Sequence, residues 1–237
     1  MDPIESGAGK ITPERRSYSG ATLVAWLIIA LQILVSLITY PFLPDQVPSH
    51  WNAAGEINGY LPKLANAILL PAISIGIYIL IRVLMHASPR LGQQSRQSQR
   101  ATWEVVNLII VGVLLFLLIT QLAVTAIALG MVIDITFVIS LGLSVLLVFL
   151  GNYMGKLRRN FWAGFRTPWT LASETVWERT HRVGGWLMVA GGLCGVLLSF
   201  VPQLRLWGII GILAVVVVAT TAYSYVLYQR LNIDEID

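Results

Sequence analysis

The chain has three histidines, and two of them stand among residues with chemical potential. His50 lies in LPDQVPSHWNAAGEINGYLPK, which gathers Asp45, Asn52, Glu56 and Asn58 around it between prolines and glycines. Imidazole with carboxylates is a donor set for divalent metals. The spacing of Asp45, His50 and Glu56 matches no standard site, however, and Asx and Gly residues at this density build turns. The simpler reading is a loop folded over the mouth of a helix bundle, with His50 and Trp51 at headgroup level. His181 lies in GNYMGKLRRNFWAGFRTPWTLASETVWERTHRVGGW, where Asn160, Arg166, Thr167, Trp177 and Arg182 are the other residues to single out. Trp177 and His181 are four apart, as are Glu178 and Arg182, so each pair shares a helix face. That spacing allows a Glu178–Arg182 surface pair of about 0.2–0.5 kcal/mol. It also lets His181 turn inward, either as a proton-responsive group near a cationic cluster or, more simply, as a satisfied structural histidine. Arg166 suits a lipid phosphate or the carbonyls of a helix end.

Other chemistry lacks its residues. The sequence shows no Ser–His–Asp order, no HExxH, no pair of intramembrane aspartates and no phosphate-binding glycine loop. An interfacial enzyme using His50 or His181 as general base would need a partner group within about 3 Å, and no obvious candidate stands nearby. No catalytic residue, metal or cofactor is expected. The single cysteine, Cys194, sits beside glycines in an apolar run, which leaves it a small packing residue and excludes a disulfide framework.

The elements that must position these residues are membrane helices. The 237 residues are 56% hydrophobic and 12% charged, against about 25% charged in an ordinary globular domain. A span needs about 20 mostly apolar residues, and six such stretches are legible at roughly 19–40, 64–86, 103–129, 132–151, 183–201 and 205–228. The fold class is therefore all-α and polytopic, with both termini on one side. The polar start, MDPIESGAGKITPERRSYSG, lacks the apolar core and cleavage site of a signal peptide and reads as a cytoplasmic tail. With the N-terminus inside, 14 of the 16 Lys and Arg fall at the cytoplasmic side, Arg82 by snorkelling, and only Lys63 and Arg205 fall outside. The positive-inside rule fixes the orientation accordingly. The net charge of +4 then reflects topology and anionic headgroups rather than direct nucleic-acid binding.

The organisation read this way is a tail over 1–18, a helix pair over 19–86 with an external loop 41–63, a Gln/Ser/Arg-rich linker 87–102, a four-helix region 103–228 and a tail 229–237. Within the four-helix region the cytoplasmic segment 152–182 mixes Trp162, Trp169 and Trp177 with five arginines, as interfacial segments do. Thr167–Pro168 predicts an N-cap with proline at the first helical position, and Thr175 with Glu178 predicts a capping box leading into the fifth span. Small residues four apart, Gly151/Gly155, Ser140/Ser144 and Gly191/Gly195, predict close helix packing.

Two segments together resemble a family. NFWAGFRTPWTLASETVWERTHRVGG is similar to the signature of the SdpI family of bacterial membrane proteins, with Asn160, Gly164, Arg166, Thr167, Pro168, Trp177, His181 and Gly184 at matching positions. LPDQVPSHWNAAGEINGY, with Pro48, His50, Asn52, Gly55 and Gly59, resembles the small domain of unknown function that precedes the SdpI domain in many of these proteins. Asn58 stands where Asp is more usual; it keeps the turn-forming amide and speaks against metal ligation. The resemblance covers most of the chain from the first span to the last.

The family is named for a protein that protects a toxin-producing bacterium from its own secreted peptide and that holds a transcriptional repressor at the membrane. The resemblance thus implies a multi-pass protein of the bacterial plasma membrane with three partners: the bilayer, a secreted peptide toxin and a cytoplasmic repressor. The expected toxin-facing group is Asp45, Pro48, His50, Asn52, Gly55, Glu56 and Gly59. The expected cytoplasmic group is Asn160, Gly164, Arg166, Thr167, Pro168, Trp177, His181 and Arg182. The rival reading is a solute or lipid transporter, for which Asn66, Asn107, Gln121 and Asp134 would have to line one polar path. A plainer alternative is a structural membrane protein.

Overall fold

The computed structural model describes residues 20–87 and 96–233. The expected tail 1–18, half of the linker 87–102 and the last residues of the tail 229–237 lie outside them. The described chain runs α1 (Gly20–Thr39), a 3-10 turn (Tyr40–Phe42), β1 (Gln46–Trp51), β2 (Ile57–Pro62), α2 (Lys63–Ala87), α3 (Arg96–Ala128), α4 (Ile135–Met154), α5 (Pro168–Ala172), α6 (Glu174–Ser199), a second 3-10 turn (Pro202–Leu204) and α7 (Arg205–Ile233). Six of these helices are long and apolar enough to cross a membrane, as expected from the hydropathy of the sequence.

Where lipid is the solvent, backbone polar groups must be satisfied internally. Pro71 inside α2 has no N–H to give to the carbonyl of Ala67, four residues back. That carbonyl instead accepts the hydroxyl of Ser36 on α1 at 2.7 Å. The amide of Gln121 on α3 donates in turn to Ser36 Oγ and to the carbonyl of Gln32, both at 2.9 Å. One proline thus calls up a polar relay that ties three helices together inside the bundle.

The α4–α6 pair makes the most extensive helix contact, and its seam is built from small residues. A Cβ on Gly151 would come within 2.7 Å of the Gly185 carbonyl, and one on Gly192 within 2.7 Å of the Ser144 carbonyl. Backbones this close gain dispersion along the whole seam. The expected packing role holds for Gly151, Ser144 and Gly195, whereas Gly155 meets nothing closer than the Cα of Arg182 at 3.7 Å.

Two expectations need correction. The fifth long helix begins at Glu174 rather than near 183, because Ser173 caps it by accepting from the N–H of Val176 at 3.4 Å. The apolar faces of Val176 and Trp177 then bury that first stretch. Thr175 is accordingly inside the helix, and the Thr175–Glu178 capping box does not form. The expected Thr167–Pro168 start does form, as α5, with Thr170 rather than an acid completing the reciprocal cap.

Candidate functional site

The stretch read as an external loop is an antiparallel hairpin. Val47 pairs with Leu61, Pro48 with Tyr60, His50 with Gly59 and Trp51 with Ile57, and the register slips between Pro48 and Trp51. The seven residues singled out here build it. Asp45 closes the base, its carboxylate 3.0 Å from Lys63 Nζ and its carbonyl accepting the Lys63 N–H. Asn52 folds the tip: its Oδ1 accepts the N–H groups of Ala54 and Glu56, and its Nδ2 donates to the Glu56 carboxylate at 2.8 Å. Gly55 sits at φ +83°, where side chains are strained. Gly59 leaves room for His50 across the ladder; a Cβ there would lie 2.9 Å from the Cβ of His50. His50 Nδ1 pairs with Asn58 Oδ1 at 2.5 Å, so Asn58 is a partner of the imidazole. Pro48 is buried, while His50 and Glu56 are exposed.

Val47, which the sequence reading passed over, anchors this hairpin. It is fully buried in a cluster with Leu43, Ala123, Val124 and Ile135, which pins β1 to α3 and α4. The signal was present in the alternation of QVPSHW and INGYLP about an Asn-Gly-rich centre, a hairpin pattern.

At the opposite end of the bundle, residues 155–173 fold around a buried histidine. Asn160 shapes the first turn: its Oδ1 accepts the N–H groups of Trp162 and Ala163 at 2.8 and 2.7 Å, and its Nδ2 donates to the Arg158 carbonyl at 2.9 Å. Gly164 follows at φ +104°, directly against the imidazole of His181. His181 Nε2 accepts the N–H of Phe165 at 3.0 Å, which makes Nδ1 the protonated nitrogen, donating to the Trp177 carbonyl at 2.9 Å. The ring lies on the Trp177 indole, and the indole N–H donates to the Leu157 carbonyl at 2.8 Å. Thr167 and Thr170 cap α5, and the Thr167 hydroxyl meets Ser224 of α7 at 3.1 Å. Pro168 takes the first position of α5.

The signature residues therefore divide. Asn160, Trp177 and His181 are buried framework, whereas Arg166 and Arg182 are exposed. Arg166 donates to the Phe161 carbonyl at 2.7 Å. Glu178 pairs with Arg158 at 3.1 Å rather than with Arg182, because the incoming loop presents Arg158 to that face. Neither nitrogen of His181 is free to act as a base, since backbone groups hold both. Thr170 and Phe165 were missed in the sequence; Phe165 packs against Gly184, and Thr170 donates to the Phe165 carbonyl at 2.8 Å.

A third cluster joins helix ends at the hairpin side. Asp134 caps α4 by accepting from Phe137 N–H at 3.1 Å and from the Thr136 hydroxyl at 2.6 Å. Arg205 forms an ion pair with Asp134 and donates from Nε to the Ser199 carbonyl at 2.7 Å. Partial burial pushes the Asp134 carboxyl up, but the bonds from Thr136, Phe137 and Arg205 outweigh it and hold the group below its ordinary range. Three of the four polar residues of the transport reading have separate partners. Gln121 belongs to the α1–α2–α3 relay, Asn107 accepts from Arg82 at 3.4 Å, and Asp134 is a cap. Asn107 and Gln121 stand about 21 Å apart along α3, at about 1.5 Å per residue.

Comparison with known proteins falls on the same segments. The profile of the SdpI/YfhL protein family matches residues 156–226, and that of a domain of unknown function, DUF1648, matches residues 27–75. The chain is 30% identical over 212 residues to the immunity protein SdpI of Bacillus subtilis, covering 89% of this chain and 97% of that one. It is 33% identical over 52 residues to the uncharacterized membrane protein YbgB of the same organism, covering 22% of this chain and 57% of that one. No solved structure matches.

Proposed function

This chain belongs to the SdpI/YfhL protein family and is a multi-pass protein of the bacterial cell membrane, and we propose that it is an immunity protein protecting the cell against a secreted membrane-active peptide. The end-to-end likeness to the Bacillus subtilis immunity protein carries this reading. The two folded ends give it a division of labour. The hairpin end, with only Lys63 and Arg205 as its cations, faces outward under the positive-inside rule and meets the peptide. The end built around His181 faces the cytoplasm, where the exposed Arg166 and Arg182 are available to a transcriptional repressor or to lipid phosphates. In this reading Asn160, Trp177 and His181 shape the cytoplasmic end and do not touch a partner. Protection works by capturing the peptide or by changing its access to the bilayer, without catalysis.

The test is survival and membrane potential of sensitive bacteria, with and without this protein, exposed to the purified toxin that the Bacillus subtilis immunity protein resists. Protection that is lost in Arg166→Ala at equal membrane abundance supports immunity through the signature end. Absence of any protection by the wild-type chain defeats the reading. If alanine at both Arg166 and His181 changes neither abundance nor protection, the cytoplasmic assignment fails.

A further inference from the structure

Beneath the hairpin lies a cavity of about 360 Å³, within the range of ligand pockets. Its roof is β1, with Ser49, His50 and Trp51; its walls come from α2, α3, α4 and α7. Leu143 of α4 and Ile209 of α7 line its depth and Asn66 of α2 its side. Leu143 lies about 12 Å along α4 from its first residue, at about 1.5 Å per residue, so the space runs from headgroup level into the apolar zone. The roof is held in place from below. Val47 is fully buried against α3 and α4, and the hairpin tip approaches Thr136, whose methyl would lie 3.3 Å from a Cβ on Gly55.

The lining specifies its occupant by chemistry. It is mostly apolar and includes no Lys, Arg, Asp or Glu, so the phosphate of a phospholipid would find no cation. Neutral polar groups are left over, the Ser49 hydroxyl at the roof and, deeper, a side-chain amide. The amide of Asn66 is half-buried, and among the described residues it has no hydrogen-bond partner. An acyl chain cannot satisfy it. A peptide group can, because a side-chain amide and a backbone amide each offer one donor and one acceptor side by side. Pairing in an apolar site recovers the cost of a bare amide there.

We propose that this cavity receives an apolar segment of a membrane-active peptide, its side chains against Leu143 and Ile209 and its backbone paired with Asn66. The proposal rests on the immunity reading and names where that reading's ligand sits. Ser49 and His50 stand at the roof, where the peptide enters.

The experiment uses the full chain in cell membranes, with photoreactive benzoylphenylalanine in place of Leu143 or, as control, of the outward-facing Val215 of α7. The probe is the same purified toxin as in the protection assay. An adduct from position 143 and none from position 215 is expected. Asn66→Leu, which keeps the helix and removes the amide, should weaken capture about tenfold, the effect of losing one to two well-made hydrogen bonds. Adducts at neither position, or equally at both, overturn the proposal, as does a phospholipid adduct at 143 that the toxin fails to displace. Unchanged capture in Asn66→Leu overturns the role of the amide. Protection of cells without the adduct at 143 sinks the cavity and leaves immunity standing; the adduct without protection does the reverse.

Discussion

His181 lies flat on Trp177, ring centroids 3.9 Å apart and planes 21° from parallel, while its Nε2 accepts the backbone N–H of Phe165 sixteen residues earlier in the chain. One side chain therefore ties the loop to the helix that follows it. In His181→Ala the Phe165 N–H loses its acceptor and the indole loses its stacking face. The expected cost is about 1–3 kcal/mol for the bare donor alone, read as a lower midpoint of thermal unfolding in detergent. An unchanged midpoint would show that the loop is held by other contacts.

Gly164 makes the same junction from the loop side. Its φ of +104° strains any side chain, and a Cβ would run into the His181 ring. Gly164→Ala should lower stability by about 1–3 kcal/mol for the backbone alone, with the clash added. Gly155→Ala, whose Cβ would meet only ordinary contact, should cost far less. Equal losses in thermal unfolding would remove Gly164 from the account.

How much of this was legible in sequence depended on whether the signal was local. Hydropathy is local, and the six spans followed from it. The Trp177–His181 face followed from helical spacing, because both residues lie on one helix. The acceptor role of His181 toward Phe165 did not, since a loop must return onto α6 before the two meet. The Glu178–Arg182 pair failed for the same reason: helical spacing permits it, but Arg158 arrives from elsewhere in the chain. The hairpin was masked by its turn-rich composition, although Val47, Trp51 and Ile57 carried a strand pattern. In the sequence Asn66 stands out only as a residue that the rival transport reading would have to place on a polar path; only the assembled walls show that it faces a cavity.

The Asp134–Arg205 pair predicts a dependence on pH with a definite sign. The carboxyl titrates lower in the folded chain than its ordinary value of 3.8, so the ionised form favours folding. That contribution is complete above about 3.8 and is lost as pH falls through the lower folded value. Asp134→Asn should lower the unfolding midpoint at neutral pH and flatten the decline seen in the wild type on acidification below 3.8. Because the pair is partly solvent-screened, the difference is small. Parallel acid profiles for the two proteins would rule out the cap as a source of acid sensitivity.

The relay from Gln121 through Ser36 to the Ala67 carbonyl makes the most specific prediction, because a proline created the need for it. Ser36→Ala strips the carbonyl that Pro71 left without its helical partner and should destabilise by about 0.6 kcal/mol and at most about 1.7, the range for hydrogen bonds between membrane helices. Pro71→Ala restores an N–H four residues on, which can take that carbonyl within α2. In the Pro71→Ala background the Ser36→Ala change should therefore cost less, leaving only the lost donation from Gln121. A double-mutant cycle measured by unfolding in mixed detergent reads this as a coupling between two residues on different helices, the double variant losing less stability than the sum of the two single variants. Strict additivity would mean that the Ser36 hydroxyl answers to Gln121 alone and that the proline is accommodated by other means.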